Sequence, residues 1–388
     1  MVPRAVAALE DRQLELQALE RLGDLGGPEQ ARAVSDLAQH NPSAAVLSAA
    51  VRVLTAWRDR DRLTAAQRDE LDRAVAEVHG ANGIPVRWHV RGPVPAPEAL
   101  PLVEQIASRR LGSAPPGWET RFATGTEARV PLAKEPAHNT CGLAYTEIAV
   151  AAPTAVEFLA SSSGRLQVWL NGQSVYRRDQ ARDFQIDSDR FAGTLAKGVN
   201  RLLVQVGPFE DGVRREGRLF HLRFRRKSAT AAHERLTQAA LARRGNPERG
   251  RQLFFAVEKS QCLKCHRLGD RGEHIGPDLT GVGSRFARIY LVESILEPSR
   301  TIAPSFGTLV IALKNGQVRT GVKIAETETT LTLADNQGQK QVLAKVDIEE
   351  QRTSPISTMP EGLEKHFTED EFVDLIAFLV SQKERRAP

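Results

Sequence analysis

The sequence predicts a multidomain α and β chain: N-terminal helical repeats, an antiparallel β-sandwich, then an all-α domain interrupted by a small β-barrel. Three observations carry that expectation. Apolar residues recur at helical spacing up to about residue 80, at period two from Trp118 to about Lys227, and at helical spacing again beyond Gly245. Short alternating segments at about 305–352 break the last stretch. At 388 residues, 41% hydrophobic and 26% charged, the chain has the composition of an ordinary globular protein with several cores. A net charge of +5, with 53 basic residues scattered among 48 acidic ones, gives no basic stripe, so nucleic acid is not expected as a partner. No window approaches the apolar length of a membrane span.

Residues 1–80 hold the first helices. Leu14, Leu19 and Leu22, then Val34 and Leu37, then Val46, Leu47, Val51 and Leu54, then Leu71, Val75 and Val78 mark their apolar faces. Pro28 and Pro42 stand where helices would begin, and Thr64 with Gln67 forms a capping box. Short helices in antiparallel pairs resemble HEAT-like repeats, with a plain bundle as the alternative. Residues 81–117 carry seven prolines, from Pro85 to Pro116, and read as a linker with one short helix around Leu102 to Leu111.

Residues 118–227 read as the sandwich. Leu166, Val168 and Leu170 alternate with Gln167 and Trp169, and Asn171-Gly172 is a hairpin turn before Val175. Leu202, Val204 and Val206, and later Phe220, Leu222 and Phe224, repeat the alternation. These segments resemble galactose-binding-like jelly-roll modules, which implies a carbohydrate ligand; a spacer without a ligand is the other reading.

A linker helix is expected at 228–244, and the last domain at 245–388. Asn246 with Pro247 opens a helix, and Thr368 with Glu371 opens the closing one, whose apolar face includes Phe372, Leu375 and Phe378. Between them Asn315-Gly316 and the flanking strands suggest an inserted barrel of SH3-like or Sm-like size at about 305–352.

Cys262-Leu263-Lys264-Cys265-His266 carries the chemistry. Two cysteines three apart followed at once by histidine form the attachment pattern of a covalent heme c, because one turn brings both thiols to one porphyrin edge with the imidazole aimed at the iron. Zinc fits less well, since Cys141 is distant and His274 and His366 stand alone. Thioredoxin-type chemistry would want a strand before Cys262, where Phe254 to Lys259 reads as a helix end. Met359, in the loop Ser357-Thr358-Met359-Pro360-Glu361-Gly362, is the candidate second axial ligand, with His274 and His366 competing.

From Gly245 onward these features resemble a class I c-type cytochrome, and specifically the heme-binding domain that closes large multidomain bacterial proteins with HEAT-like repeats and dehydrogenase-like propellers upstream. That resemblance implies an all-α cytochrome c domain with crossed first and last helices, Gly250 and Phe254 meeting Phe372, Leu375 and Phe378. It also implies that the Pro277 carbonyl holds the His266 imidazole and that Leu279 packs on the ring. The inserted barrel departs from a simple cytochrome. The implied function is electron transfer with His266/Met359 ligation, accepting electrons from a dehydrogenase domain or redox partner, with no enzymatic activity of its own required. A peroxidase-like heme enzyme with an open distal position, or a carbohydrate-binding module with an accessory heme domain, are the alternatives. Heme attachment of this kind belongs to the periplasm or another exported compartment. The first residues lack the apolar core of a secretory signal, so the expectation is a C-terminal part of a longer exported protein.

Overall fold

A computed structural model describes residues 14–41, 43–99, 117–132, 139–162, 164–182, 184–208 and 219–383, together with Val2, Ala5 and Pro101. The helix expected at Leu102 to Leu111 lies outside the described residues. The chain divides into two compact units, Met1–Lys227 and Ser228–Pro388.

The first unit begins with helices α1 (Glu15–Leu25), α2 (Ala31–Gln39), α3 (Ala44–Arg58) and α4 (Ala65–Asn82). Leu19, Leu22, Val34, Leu47, Val51, Leu54, Trp57, Leu71 and Val78 close one shared core. Thr64 and Gln67 cap α4 reciprocally.

Ten strands follow: β1 (Arg87–Pro95), β2 (Glu119–Phe122), β3 (Arg129–Pro131), β4 (Thr140–Val150), β5 (Thr154–Ser162), β6 (Leu166–Leu170), β7 (Gln173–Arg178), β8 (Asp189–Leu195), β9 (Gly198–Val206) and β10 (Leu219–Arg226). They form a six-stranded sheet in the order β2-β1-β4-β9-β6-β7 and a four-stranded sheet in the order β3-β10-β5-β8, antiparallel throughout. Trp88, Ala144, Val168 and Val204 of one sheet meet Val156, Phe158, Phe220 and Leu222 of the other. Asn171 and Gly172 both take positive φ, 51° and 83°, as a tight two-residue hairpin turn requires.

Two expectations change here. Arg87–Pro95, assigned by its prolines to a linker, is a strand paired on both sides, with β2 and β4. The N-terminal helices are few and do not form a HEAT-like array. A repeat passes its free face to the next repeat, whereas α4 turns that face to β4. Its Gly80 lies so near the Ala149 carbonyl that an added Cβ would come within 1.8 Å of the oxygen. Nearby, His79 donates from Nδ1 to the Glu147 carbonyl at 2.9 Å and accepts from the Val86 and Arg87 amides at 3.1 and 3.2 Å.

The second unit contains helices α5 (Ala231–Ala242), α6 (Pro247–Phe255), α7 (Val257–Ser260), α8 (Val282–Arg285), α9 (Arg288–Leu296) and α10 (Glu369–Ser381). Helix α5, read as a linker, contributes Ala240 to the same core as Phe254, Val292, Phe372 and Phe378. Helices α6 and α10 touch backbone to backbone at Gly250. A Cβ on Gly250 would come within 1.9 Å of the Asp374 carbonyl oxygen, and the Phe254 and Phe378 rings lie 5.4 Å apart.

The expected all-α domain is not what folds. A hairpin of β11 (Arg267–Leu268) and β12 (Arg271–Gly272) and a five-stranded antiparallel sheet of β13 (Thr308–Leu313), β14 (Val318–Glu326), β15 (Thr330–Ala334), β16 (Lys340–Ala344) and β17 (Ile348–Ser354) make the unit mixed α and β. Among the described residues the insertion is a five-stranded sheet curled toward the small barrel expected, without a ladder closing it. Its order is β16-β15-β14-β13-β17, and among the described residues no ladder joins β16 to β17. The single 3-10 turn Lys345–Asp347 connects these two edges. Three residues reach about 10 Å, while the edges of a flat five-stranded sheet stand about 19 Å apart. The sheet is therefore curled but open, with its own core of Leu309, Ile311, Leu331, Leu333 and Leu343.

Candidate heme-attachment site

Helix α7 ends at Gln261, whose left-handed backbone (φ 58°) turns the chain into the motif. Cys262–Lys264 then form a 3-10 turn, and the His266 amide donates to the Cys262 carbonyl at 2.9 Å. The three motif side chains thus spring from a single turn. Both cysteines are free thiols and half-buried. Burial pushes the Cys262 thiol up to about 11 and also raises that of Cys265. Raised thiol pKa values do not suit a thioredoxin-type nucleophile, whose reactivity depends on a lowered one. Among the described residues no three His, Cys, Asp or Glu side chains gather as a metal cluster.

The loop after the motif folds back onto it. The Ile275 and Gly276 amides both donate to the Cys265 carbonyl, at 3.0 and 2.7 Å, and the Leu279 amide donates to the Arg267 carbonyl at 2.8 Å. That closure brings the Pro277 carbonyl 2.8 Å from His266 Nδ1. A carbonyl can only accept, so Nδ1 carries the proton and Nε2 keeps its lone pair. Burial lowers the His266 pKa, opposed by the bond to Pro277, and the ring is neutral at pH 7. Gly276 backs the imidazole so closely that a Cβ there would come within 2.7 Å of Cε1.

Met359 is half-buried and packs on the apolar cluster of Phe254, Leu263, Phe372 and Leu375, as do Cys262 and Leu279. Cys265 packs instead on a second small cluster of Ile275, Val322 and Ala334. The competing histidines are exposed. His274 accepts from Arg267 at 2.6 Å, and His366 Nδ1 lies 3.0 Å from the Lys259 carbonyl.

The residues fit a covalent heme. Two thiols and an imidazole of fixed tautomer spring from one turn, and Met359 packs on the apolar cluster that Cys262 also touches. Sequence reasoning missed Gly272 and gave Gly276 no role of its own. Gly272, at φ 92°, lies where a Cβ would come within 2.1 Å of the His266 carbonyl oxygen. The spacing of two glycines just after the motif was the available signal.

In the first unit, Trp169 and Tyr145, on the outer face of the six-stranded sheet, are buried with Trp118, Leu143 and Leu203 and offer no exposed aromatic platform to a sugar ring. No helix of the described residues is long and apolar enough to cross a membrane.

No protein-family model matches this chain, and no curated protein matches it. Solved structures with local likeness include a beta-glucosidase from Kluyveromyces marxianus, at 12% identity and TM-score 0.24, covering 40% of this chain and 18% of that one. Another is a beta-glucuronidase from Ruminococcus gnavus, at 10% identity and TM-score 0.22, covering 35% of this chain and 24% of that one. The chain thus spans less than a quarter of the length of either, and likeness at these scores carries no argument about fold or function.

Proposed function

We infer that the chain is an electron-transfer protein carrying one covalent heme c, held through Cys262 and Cys265, with His266 and Met359 as axial ligands. The bond between His266 Nδ1 and the Pro277 carbonyl carries this reading. It leaves Nε2 as the ligand atom and raises its basicity, the usual role of an outer partner to a metal-bound imidazole. The bound group would supply a one-electron ferric/ferrous couple. The chain's own residues do the rest: Pro277 and Gly276 orient the imidazole, and Leu279, Phe254 and Phe372 provide the apolar surroundings that favour a high potential. Thioether ligation by Met359 raises that potential further, which suits accepting electrons from a dehydrogenase domain or partner protein. Maturation of such a protein belongs to an exported compartment.

The test is expression with an export signal in a host that matures c-type cytochromes, followed by oxidised and reduced spectra. The expected result is one heme that survives denaturing electrophoresis, with a weak red thioether-to-iron band when oxidised. Absence of covalent heme overturns the reading. A high-spin ferrous form that binds carbon monoxide at once replaces it with a heme enzyme having an open distal position.

A further inference from the structure

The five-stranded sheet leaves and rejoins the helical part of its unit at one place, where Thr308, the first residue of β13, pairs with Ser354, the last of β17. An insertion whose two ends lie side by side can be accommodated without separating the helices it interrupts. This one also grips the candidate site twice.

At its far turn, Gly338 (φ 81°) sits against the Lys264 carbonyl, where a Cβ would come within 2.9 Å of the oxygen. Lys340 pairs with Glu273 at 2.9 Å, and Val322 and Ala334 pack with Ile275 and Cys265. These contacts hold the attachment loop. At its root, the buried Thr308 hydroxyl lies 2.9 Å from the hydroxyl of Thr358, the neighbour of Met359. The Ser357 amide donates to Ser299 Oγ at 3.1 Å, and the Met359 amide donates to Ser357 Oγ at 3.1 Å.

We propose that the inserted sheet is a strut fixing the methionine loop relative to the attachment loop, with Thr308 as the positioning residue for Met359. The proposal rests on the axial-ligand reading above. A rigid sheet bonded to both loops sets their separation, and a thioether ligand is lost when its loop drifts outward. Thr308 acts through Thr358 and touches no iron ligand itself.

In the full heme-loaded chain, Thr308→Val is expected to leave covalent heme content unchanged. It should lower the ratio of thioether-ligated to unligated iron roughly three- to tenfold, the worth of one hydrogen bond, read from the red band against temperature. Thr308→Ser should restore the ratio, and Thr320→Val, on the exposed side of β14, should not change it. In the heme-free chain, amide exchange at Ser357 and Met359 should quicken in Thr308→Val by a similar factor. A wild-type ratio together with wild-type exchange overturns the strut. Should Thr308→Val fail to fold, Thr358→Val, which removes the other hydroxyl of the same bond, is read the same way, and wild-type behaviour there overturns the strut equally. Absence of the red band in the wild-type holoprotein counts against Met359 as ligand, while the exchange measurement still judges the strut.

Discussion

The His266 imidazole and the Pro277 carbonyl, eleven residues apart, are joined by a 2.8 Å hydrogen bond. It is the backbone of Pro277 that acts, so the bond depends on loop geometry. The loop in turn depends on the glycine before the proline, whose missing side chain leaves room for the ring.

Gly276→Ala is therefore expected to push the imidazole out of line, since the new methyl would come within 2.7 Å of Cε1. Overpacking of this kind costs about 1–3 kcal/mol. The check is the yield of covalent heme per folded chain, expected to fall several-fold; an unchanged yield removes Gly276 from the orienting role.

Gly250→Ala tests the helix crossing. Its methyl would come within 1.9 Å of the Asp374 carbonyl oxygen, so α6 and α10 must separate. A loss of about 3 kcal/mol or more is expected, because backbone cannot move aside as a side chain can. Urea dependence of amide exchange at core residues of the second unit, such as Phe254 and Phe378, measures it.

Exchanging Met359 for alanine should abolish the red oxidised band and lower the reduction potential, with the covalent heme retained. His366→Ala and His274→Ala should change neither, because both rings are exposed and already engaged by Lys259 and Arg267. Loss of the band in a histidine variant would transfer the ligand role.

His79 sets a pH dependence in the first unit. Burial lowers its pKa from 6.5 to about 3, so the unfolded chain takes up its proton first as pH falls. The stability contributed by the neutral ring is complete above pH 6.5 and is lost as pH falls toward 3, at a slope of about 1.4 kcal/mol per pH unit for one proton. In His79→Asn that slope should be shallower by one proton between pH 4 and 6, whatever the absolute stability. Parallel urea titrations at four pH values decide the matter.

What the sequence determined by itself was local. The caps at Thr64, Asn246 and Thr368, the Asn171-Gly172 turn and the single-turn spacing of Cys262, Cys265 and His266 follow from side chains a few residues apart. Backbone donors there find partners within reach of the same turn, so composition and spacing suffice.

Tertiary structure alone decided the rest. Prolines in 85–95 read as breakers, yet an antiparallel partner on each side makes Arg87–Pro95 a strand. The sparse N-terminal helices end against β4 because Gly80 permits close approach, and no helical period records what lies across that contact. The insertion stayed an open, curled sheet attached at Thr308, and the second unit became mixed α and β. Each outcome rests on contacts between residues tens of positions apart, where sequence patterning shows which face is apolar but not which partner covers it.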